Sequence, residues 1–299
     1  MATRWGICAV GKIRNDFMFA LQTLTAQDHQ AMAVAAKDQK CAKEFSKTHN
    51  IPKVYSSYEE LAKDPNIDTS HSSIIPDILV AFQPPTTMWS LYFPVYDQIH
   101  SLLSQKAIGD VKVVRAEFGS NQYYVMRAVG KELGGGALLD IGCYCLQFAL
   151  MVFKGEKPES VTAKGFLYET GVDKTVTIIL QYAGKRQAIL TCTIMVAMPN
   201  QAANCGSKGM IQIPTCMWCS TLVILNGKET QCPLPQSSKP MHFINSTGLS
   251  YEAEHVRQCL LKGTVHDHPL TLADSELLHT IMDEVRKQLG VQFPQDKVL

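Results

Sequence analysis

An aspartate and a tyrosine four residues apart interrupt an apolar stretch near the middle of the chain. The stretch is GGGALLDIGCYCLQF, residues 134–148, and it contains Asp140 and Tyr144. Residues four apart share one face of an α-helix, so we expect the two side chains to point the same way. A buried carboxylate can orient a substrate, and a tyrosine can act as general acid or base in hydride-transfer chemistry. A helix whose Asp and Tyr only satisfy backbone partners also explains the pattern and is the commoner case.

Three glycines open this stretch. Gly134 to Gly136 permit a tight entry into the helix and the close approach of something flat or charged.

A second candidate site follows the first predicted strand. In a dinucleotide-binding turn of the form GxGxxG the glycine positions fall on Ala9, Gly11 and Arg14, so only Gly11 matches. Lys37 ends the second predicted strand, where a basic residue favours the 2′-phosphate of NADP over the ribose hydroxyls of NAD. An ordinary strand–turn–helix and a solvated lysine remain the alternatives for these two positions.

Cysteines and histidines give weaker signals. Cys216 and Cys219 form a lone CxxC, for which incidental strand cysteines are commoner than a metal or thiol centre. His266 and His268 lie in a predicted loop, where a solvated loop is commoner than a metal pair. No GxSxG sequence indicates a nucleophilic serine.

These residues have to be positioned by two kinds of predicted architecture. Three strand–helix units at the N-terminus predict an α/β, Rossmann-like domain with a parallel sheet, assigned to residues 1–94. The alternation stops after residue 68, where we expect at most one strand near residues 78–82, so this domain is truncated. Successive strands from residue 111 onward predict an α+β domain with a large, mostly antiparallel open sheet, assigned to residues 95–299.

Composition excludes several classes of protein. The 299 residues carry a net charge of +1 and are 46% hydrophobic, which is typical of a globular protein without a nucleic-acid or membrane partner. We find no apolar run of the roughly 18 residues that a membrane span needs, and no signal peptide. We therefore expect a cytoplasmic protein whose ten cysteines are reduced thiols.

Several longer stretches, taken together, resemble the Gfo/Idh/MocA oxidoreductase family. They are collinear with that family over residues 1–67 and 88–299. They are RWGI, KEFSKTHNIPKVYSSYEELAKDPN, RAEFG, GGGALLDIGCYC, ETGVDKTVT, SYEAEHV and FPQDK.

The resemblance implies a Rossmann domain that binds NADP and a C-terminal domain that holds the substrate pocket and forms a homodimer through its sheet. It implies hydride transfer to the nicotinamide from a trans-dihydrodiol carbon or from C1 of D-xylose. Asp140 and Tyr144 match the family's active-site pair, with the tyrosine as general acid/base. Trp89, Phe118 and Phe243 match aromatic positions that line the family's pocket, although each is equally explained as core.

The chain also departs from the family. A segment with a substrate-side histidine and a catalytic EKP lysine is missing, and Lys157 of the only EKP in the chain matches a turn after the DIG helix instead. Cys41 stands where a second basic residue is expected near the NADP phosphate, and Arg14 replaces a small residue. The alternative to an active enzyme is therefore a catalytically impaired variant that acts at most as a binding or dimerising module.

Overall fold

A computed structural model describes residues 2–71, 88–264 and 271–297 of the chain. The chain divides into two compact units. The first comprises Met1–Phe93 and Pro233–Leu270, and the second comprises Pro94–Cys232 and Thr271–Leu299. The first unit thus includes residues 233–270, which the domain prediction assigned to the C-terminal domain.

Eight α-helices and twelve strands are found in the described part of the chain. The helices are α1 (Lys12–Leu21), α2 (Gln39–His49), α3 (Tyr58–Ala62), α4 (Pro94–Ser104), α5 (Met126–Val129), α6 (Cys143–Val152), α7 (Leu249–Lys262) and α8 (Leu272–Leu289). The strands are β1 (Thr3–Cys8), β2 (His29–Ala35), β3 (Lys53–Tyr55), β4 (Thr69–His71), β5 (Val111–Gly119), β6 (Ser160–Leu167), β7 (Asp173–Tyr182), β8 (Arg186–Thr193), β9 (Ala202–Gly206), β10 (Gly209–Ile213), β11 (Leu222–Leu225) and β12 (Lys228–Gln231).

The first unit is built on a parallel sheet with the strand order β3-β2-β1-β4. This confirms the Rossmann-like prediction, since the chain crosses from one side of β1 to the other between β3 and β4. The short strand β4 is an element that the sequence analysis missed. The strand predicted near residues 78–82 lies outside the described residues.

Local capping fixes where the helices of the first unit begin. The Asp38 side chain accepts hydrogen bonds from the backbone N–H groups of Lys40 and Cys41, and so caps α2. Ser57 caps α3 by accepting the N–H of Glu60 at 3.1 Å.

The second unit contains an eight-stranded sheet in the order β12-β11-β10-β9-β5-β8-β7-β6. Its pairings are antiparallel except for β5 with β8, which run parallel. This confirms the predicted large, mostly antiparallel sheet. Helix α6 packs on β5 and β8, and its buried Leu146 and Phe148 contribute to the core of the unit.

One helical stretch in the described residues, Lys131–Val152, has the length and apolarity to cross a membrane. Its apolar window is 78% buried inside the protein, which is the usual situation of a core helix.

Candidate active site

The glycine-rich segment enters its helix through an unusual turn. Leu138–Gly142 is a π-helix, and it continues directly into α6. The N–H of Cys143 bonds to the carbonyl of Leu138, five residues earlier. A continuous α-helix was expected here, so the π-turn is a difference from the sequence analysis, and such turns are frequent at functional sites.

Close packing explains two of the glycines. A Cβ on Gly136, whose φ is +125°, would lie 2.5 Å from Oδ1 of Asp173, and a Cβ on Gly142 would lie 2.7 Å from the Cys192 sulfur. The charged group that approaches the glycine run is therefore the protein's own Asp173. Its Oδ2 accepts the N–H of Leu138 at 2.6 Å, and burial raises the pKa of this carboxyl above its ordinary value.

Asp140 sits in the π-turn with a cationic partner. Its side chain is 12% exposed, and Oδ1 lies 2.7 Å from Nη2 of Arg127, which is itself 65% exposed. Arg127 lies on α5, and the sequence analysis did not identify it. No spacing rule links positions 127 and 140, because the pairing depends on how the intervening turns fold.

Tyr144 is half-buried on α6 and belongs to a group of three aromatic rings. Its ring centroid lies 5.9 Å from that of Phe118, near the end of β5. Phe118 stacks on Trp218 at 3.8 Å with an interplanar angle of 7°. We call Tyr144, Phe118 and Trp218 the aromatic trio. Phe118 is thus an apolar neighbour of the Tyr144 ring, and Trp218 supports Phe118 through its stacking contact.

Trp218 was missed although it lies inside the CMWC sequence that the sequence analysis singled out for its cysteines. The turn between β10 and β11 brings it onto Phe118. An aromatic residue in a loop gives no periodic signal, so only the tertiary structure reveals its partner.

The other two predicted aromatics lie in the first unit. Trp89 is buried and makes an edge-on contact with Phe93, with centroids 5.3 Å apart. Phe243 is 45% exposed. The structure thus brings Phe118 together with Tyr144, while Trp89 and Phe243 belong to the other unit.

A buried aspartate holds the loop that carries Phe243. Asp16 of α1 is fully buried, and its carboxylate accepts the N–H groups of His242 and Phe243, both at 2.9 Å, and the Ser246 hydroxyl at 2.6 Å. Asp16 was not among the residues predicted from the sequence. Its place in a helix next to the apolar Phe17 and Met18 was the one indication that this carboxylate would be buried.

Gly11 and Lys37, the two predicted cofactor-binding residues, both lie in the first unit. Gly11 is exposed at the start of α1, and a Cβ added to it would meet no atom within 4 Å. Lys37 is exposed two residues after the end of β2. The neighbouring Asp38 is occupied in capping α2, so the lysine supplies the side-chain charge available at this strand end.

Arg14 lies under the same turn. It is buried, its Nε donates to the carbonyl of Cys8 at 3.2 Å, and burial lowers the pKa of its guanidinium to about 10. The family's small residue at this position is thus replaced by a side chain that the fold accommodates.

Three residues considered in the sequence remain. Lys157 is exposed in the turn between α6 and β6. His266 and His268 lie outside the described residues. Within residues 2–71, 88–264 and 271–297, no group of three or more His, Cys, Asp or Glu side chains could hold a metal ion.

Comparison with known proteins adds independent evidence on the family. Residues 96–212 match the Gfo/Idh/MocA C-terminal domain. The chain is 57% identical to a trans-1,2-dihydrobenzene-1,2-diol dehydrogenase of Xenopus laevis over 330 positions, which cover 98% of this chain and 100% of the relative. A protein of the same name from Homo sapiens is 44% identical, with 99% and 100% coverage.

The alignment with the Xenopus relative is longer than this chain. It spans 330 positions, whereas the chain has 299 residues. The relative therefore carries residues that have no counterpart here.

Solved structures share the fold at low identity. An aldose-aldose oxidoreductase from Caulobacter crescentus superposes with a TM-score of 0.76 at 17% identity, over 96% of this chain and 98% of that chain. A 3-ketoreductase from Actinomadura kijaniata, in complex with NADP and TDP-benzene, gives 0.74 at 18% identity over the same shares. From the matching domain and the long, highly identical relatives, the chain belongs to the Gfo/Idh/MocA oxidoreductase family.

Proposed function

We propose that this chain oxidises trans-dihydrodiols, and D-xylose at C1, by NADP-dependent hydride transfer. The observation that carries the proposal is the half-buried phenol of Tyr144 beside Phe118 and one helical turn after Asp140. The name of the 57%-identical relative supports a dihydrodiol as one substrate.

Tyr144 is the proposed general acid/base. In the oxidative direction its oxygen, as phenolate, takes up the proton of the reacting hydroxyl, and in the reverse direction the resulting phenol returns it. Asp140 orients the substrate by accepting a hydrogen bond from the hydroxyl next to the reacting one, because the single proton of the reacting hydroxyl passes to Tyr144. The guanidinium of Arg127 holds that carboxylate in place through the 2.7 Å ion pair.

The residues of the first unit fit NADP. The open space beside Gly11 suits a pyrophosphate that approaches the start of α1, where backbone N–H groups point outward. Lys37 would hold the 2′-phosphate, since Asp38 is occupied as a helix cap. When bound, the nicotinamide supplies the hydride acceptor.

Aromatic side chains account for the proposed substrate class. Phe118 is the wall beside Tyr144, and stacking on Trp218 fixes its ring. Trp89 and Phe243 are the proposed wall residues of the first unit. Flat rings of this kind suit the ring of a dihydrodiol or the apolar face of a sugar.

We also propose a cytoplasmic homodimer that forms through the sheet of the second unit. Phe166 on β6 is 70% exposed, and Leu167 and Ile179 of the same sheet are partly exposed. Exposed apolar side chains on a sheet are the feature that a partner subunit covers.

The test is NADPH production by the purified chain with NADP⁺ and either substrate, followed by absorbance. We expect saturable activity, and we expect Tyr144→Phe to lower kcat by about 10²- to 10⁴-fold, since it removes the proton-transfer group. The matched control is Tyr124→Phe, which alters a tyrosine that is 90% exposed. An equal loss of kcat in Tyr144→Phe and Tyr124→Phe would show that Tyr144 is not the proton-transfer group.

A non-catalytic binding or dimerising module is the second candidate function. It is favoured by the residues that the Xenopus relative has and this chain lacks, and by Lys157 standing in a turn. Fluorescence titration with NADPH separates the two functions. Micromolar binding with substrate-dependent turnover supports the enzyme, whereas a folded protein without saturable binding supports the module.

A further inference from the structure

The CxxC sequence in the second unit forms a closed turn. Cys216 and Cys219 lie between β10 and β11, and the N–H of Cys219 donates to the carbonyl of Cys216 at 2.8 Å. A turn with this hydrogen bond brings its first and last Cα atoms within about 7 Å. That separation overlaps the range of about 4.4 to 6.8 Å that a disulfide requires.

The two sulfur atoms are also polarised in the way a reactive dithiol needs. A hydrogen bond from the Cys219 thiol, with one from the Thr215 hydroxyl at 3.6 Å, lowers the pKa of Cys216 to about 6, although partial burial acts in the opposite direction. Cys216 is half-buried and accessible to small solutes, while Cys219 is fully buried. The arrangement resembles an attacking thiolate with a resolving thiol behind it.

Three other cysteines, for comparison, lack this combination. Burial raises the pKa of Cys143 to about 12 and raises that of Cys192. Cys41 is exposed, but its hydrogen bond with Asp38 raises the pKa of its thiol.

The turn is fixed in the middle and connected to the aromatic trio. The N–H of Met217 donates to the carbonyl of Asn200 at 3.0 Å, and its carbonyl accepts the Tyr96 hydroxyl at 2.7 Å. Trp218, the next residue, stacks on Phe118. A bond that ties the two ends of the turn together therefore acts directly on the backbone that carries Trp218.

We propose that Cys216 and Cys219 are a redox-active dithiol that peroxides oxidise to an intramolecular disulfide. The Cys216 thiolate attacks one peroxide oxygen, the O–O bond breaks, and a sulfenic acid and hydroxide form. The Cys219 sulfur then attacks the sulfenic sulfur and the S–O bond breaks. The two hydroxides released in these steps take up the Cys219 proton and one proton from solvent, and so become two waters. Two electrons pass from the two sulfurs to the peroxide.

Mass spectrometry of the full-length chain tests the site without reference to activity. The reduced protein is treated with one equivalent of hydrogen peroxide, blocked with N-ethylmaleimide and digested with trypsin. The peptide 209–228 contains Cys216 and Cys219 as its only cysteines. We expect it to lose two hydrogens, to escape labelling, and to regain both thiols with dithiothreitol.

Rates and variants identify the attacking sulfur. We expect Cys216 to react about tenfold faster than the exposed Cys41, because a larger fraction of it is thiolate at neutral pH. Cys219→Ser should stop at a sulfenic acid that dimedone traps, and Cys41→Ser should change nothing. A folded wild-type chain in which peptide 209–228 keeps two labelled thiols would overturn the proposal, whether or not the variants fold.

The disulfide has a consequence for the reaction, which rests on the proposed function. Because Trp218 supports Phe118 beside Tyr144, we expect oxidation to lower dihydrodiol-dependent NADPH production at least severalfold, reversibly with dithiothreitol. Cys216→Ser should keep its activity under the same treatment. An oxidised chain with unchanged activity would overturn this link. A chain that is inactive even when fully reduced, yet forms the disulfide, would contradict the proposed function and leave the dithiol supported.

Discussion

In the second unit, the segment that carries Asp140 and Tyr144 is held by buried packing against strands β7 and β8. In the first unit, Gly11, Lys37 and Phe243 instead lie at exposed positions. In the second unit the helix meets Asp173 at its start and the Cys192 sulfur at Gly142. The side chains that it presents are therefore set before any ligand arrives.

The first unit positions its candidate residues through single carboxylates. Asp38 caps the helix that follows Lys37, and Asp16 gathers the loop that carries Phe243. A site held in this way depends on a few charged hydrogen bonds and loses its order when one of them is removed. The difference indicates that packing orders the segment that carries Asp140 and Tyr144, whereas hydrogen bonds order the segments that carry Lys37 and Phe243.

The sharpest test of packing in the second unit compares two glycines of one run. Gly136→Ala places a Cβ 2.5 Å from Asp173 Oδ1 at a φ of +125°, whereas Gly134→Ala, at a φ of +69°, meets no atom within 4 Å. We expect the first to lower the free energy of unfolding by about 3 to 4 kcal/mol and the second by about 1 kcal/mol. Urea denaturation measures both, and equal losses would show that backbone conformation alone requires the glycines.

A buried acid in the first unit provides a pH test. Burial raises the pKa of Glu252 on α7 to about 7, from an ordinary value near 4.5. Because its pKa is higher in the folded protein, the stability that it contributes is complete below about pH 4.5 and is lost as the pH rises through 7. We expect that loss to be on the order of 3 kcal/mol.

The pH effect is read as a difference between variants. Glu252→Gln should become more stable relative to the wild type as the pH rises from 5 to 7.5 in urea denaturation. Glu229→Gln, at an exposed position on β12, should follow the wild type. A constant difference between Glu252→Gln and the wild type across this range would mean that Glu252 is not held protonated by burial.

The parts of the fold that sequence predicted are those with local periodic signals. The parallel Rossmann-like sheet follows from the alternation of strands and helices, and the mostly antiparallel sheet follows from successive strands without helices between them. The three-residue strand β4 was missed because its polar sequence, TSH, has no apolar pattern. The π-turn was also missed, since it depends on how the glycine run packs against β7 and β8.

The candidate site divides in the same way. Asp140, Tyr144 and Lys37 could be selected by residue type and motif, whereas Arg127 and Trp218 could not. Both of the latter become relevant only through contacts between segments that are far apart in sequence, Arg127 with Asp140 and Trp218 with Phe118. A single sequence contains no signal for such pairs.

Asp16→Asn tests whether one carboxylate orders the loop of the first unit. An asparagine has a single acceptor oxygen for the three donors of His242, Phe243 and Ser246, and turns an N–H₂ group toward one of them. We expect a loss of about 2 kcal/mol in stability and faster amide exchange confined to residues 242–246. Asp110→Asn, at an exposed position, is the control. Unchanged exchange in the loop would show that packing, not Asp16, holds Phe243.

The smallest expected effect concerns the charge after β2. Lys37→Ala removes the proposed partner of a 2′-phosphate, so NADPH affinity should fall about tenfold, or about 1.4 kcal/mol, while NADH affinity stays the same. Lys47→Ala, in the last turn of α2, is the control for net charge. Fluorescence titration measures both affinities. An equal loss of affinity for NADPH and NADH would show that Lys37 binds a phosphate that the two nucleotides share. Another residue of the first unit would then discriminate NADP from NAD.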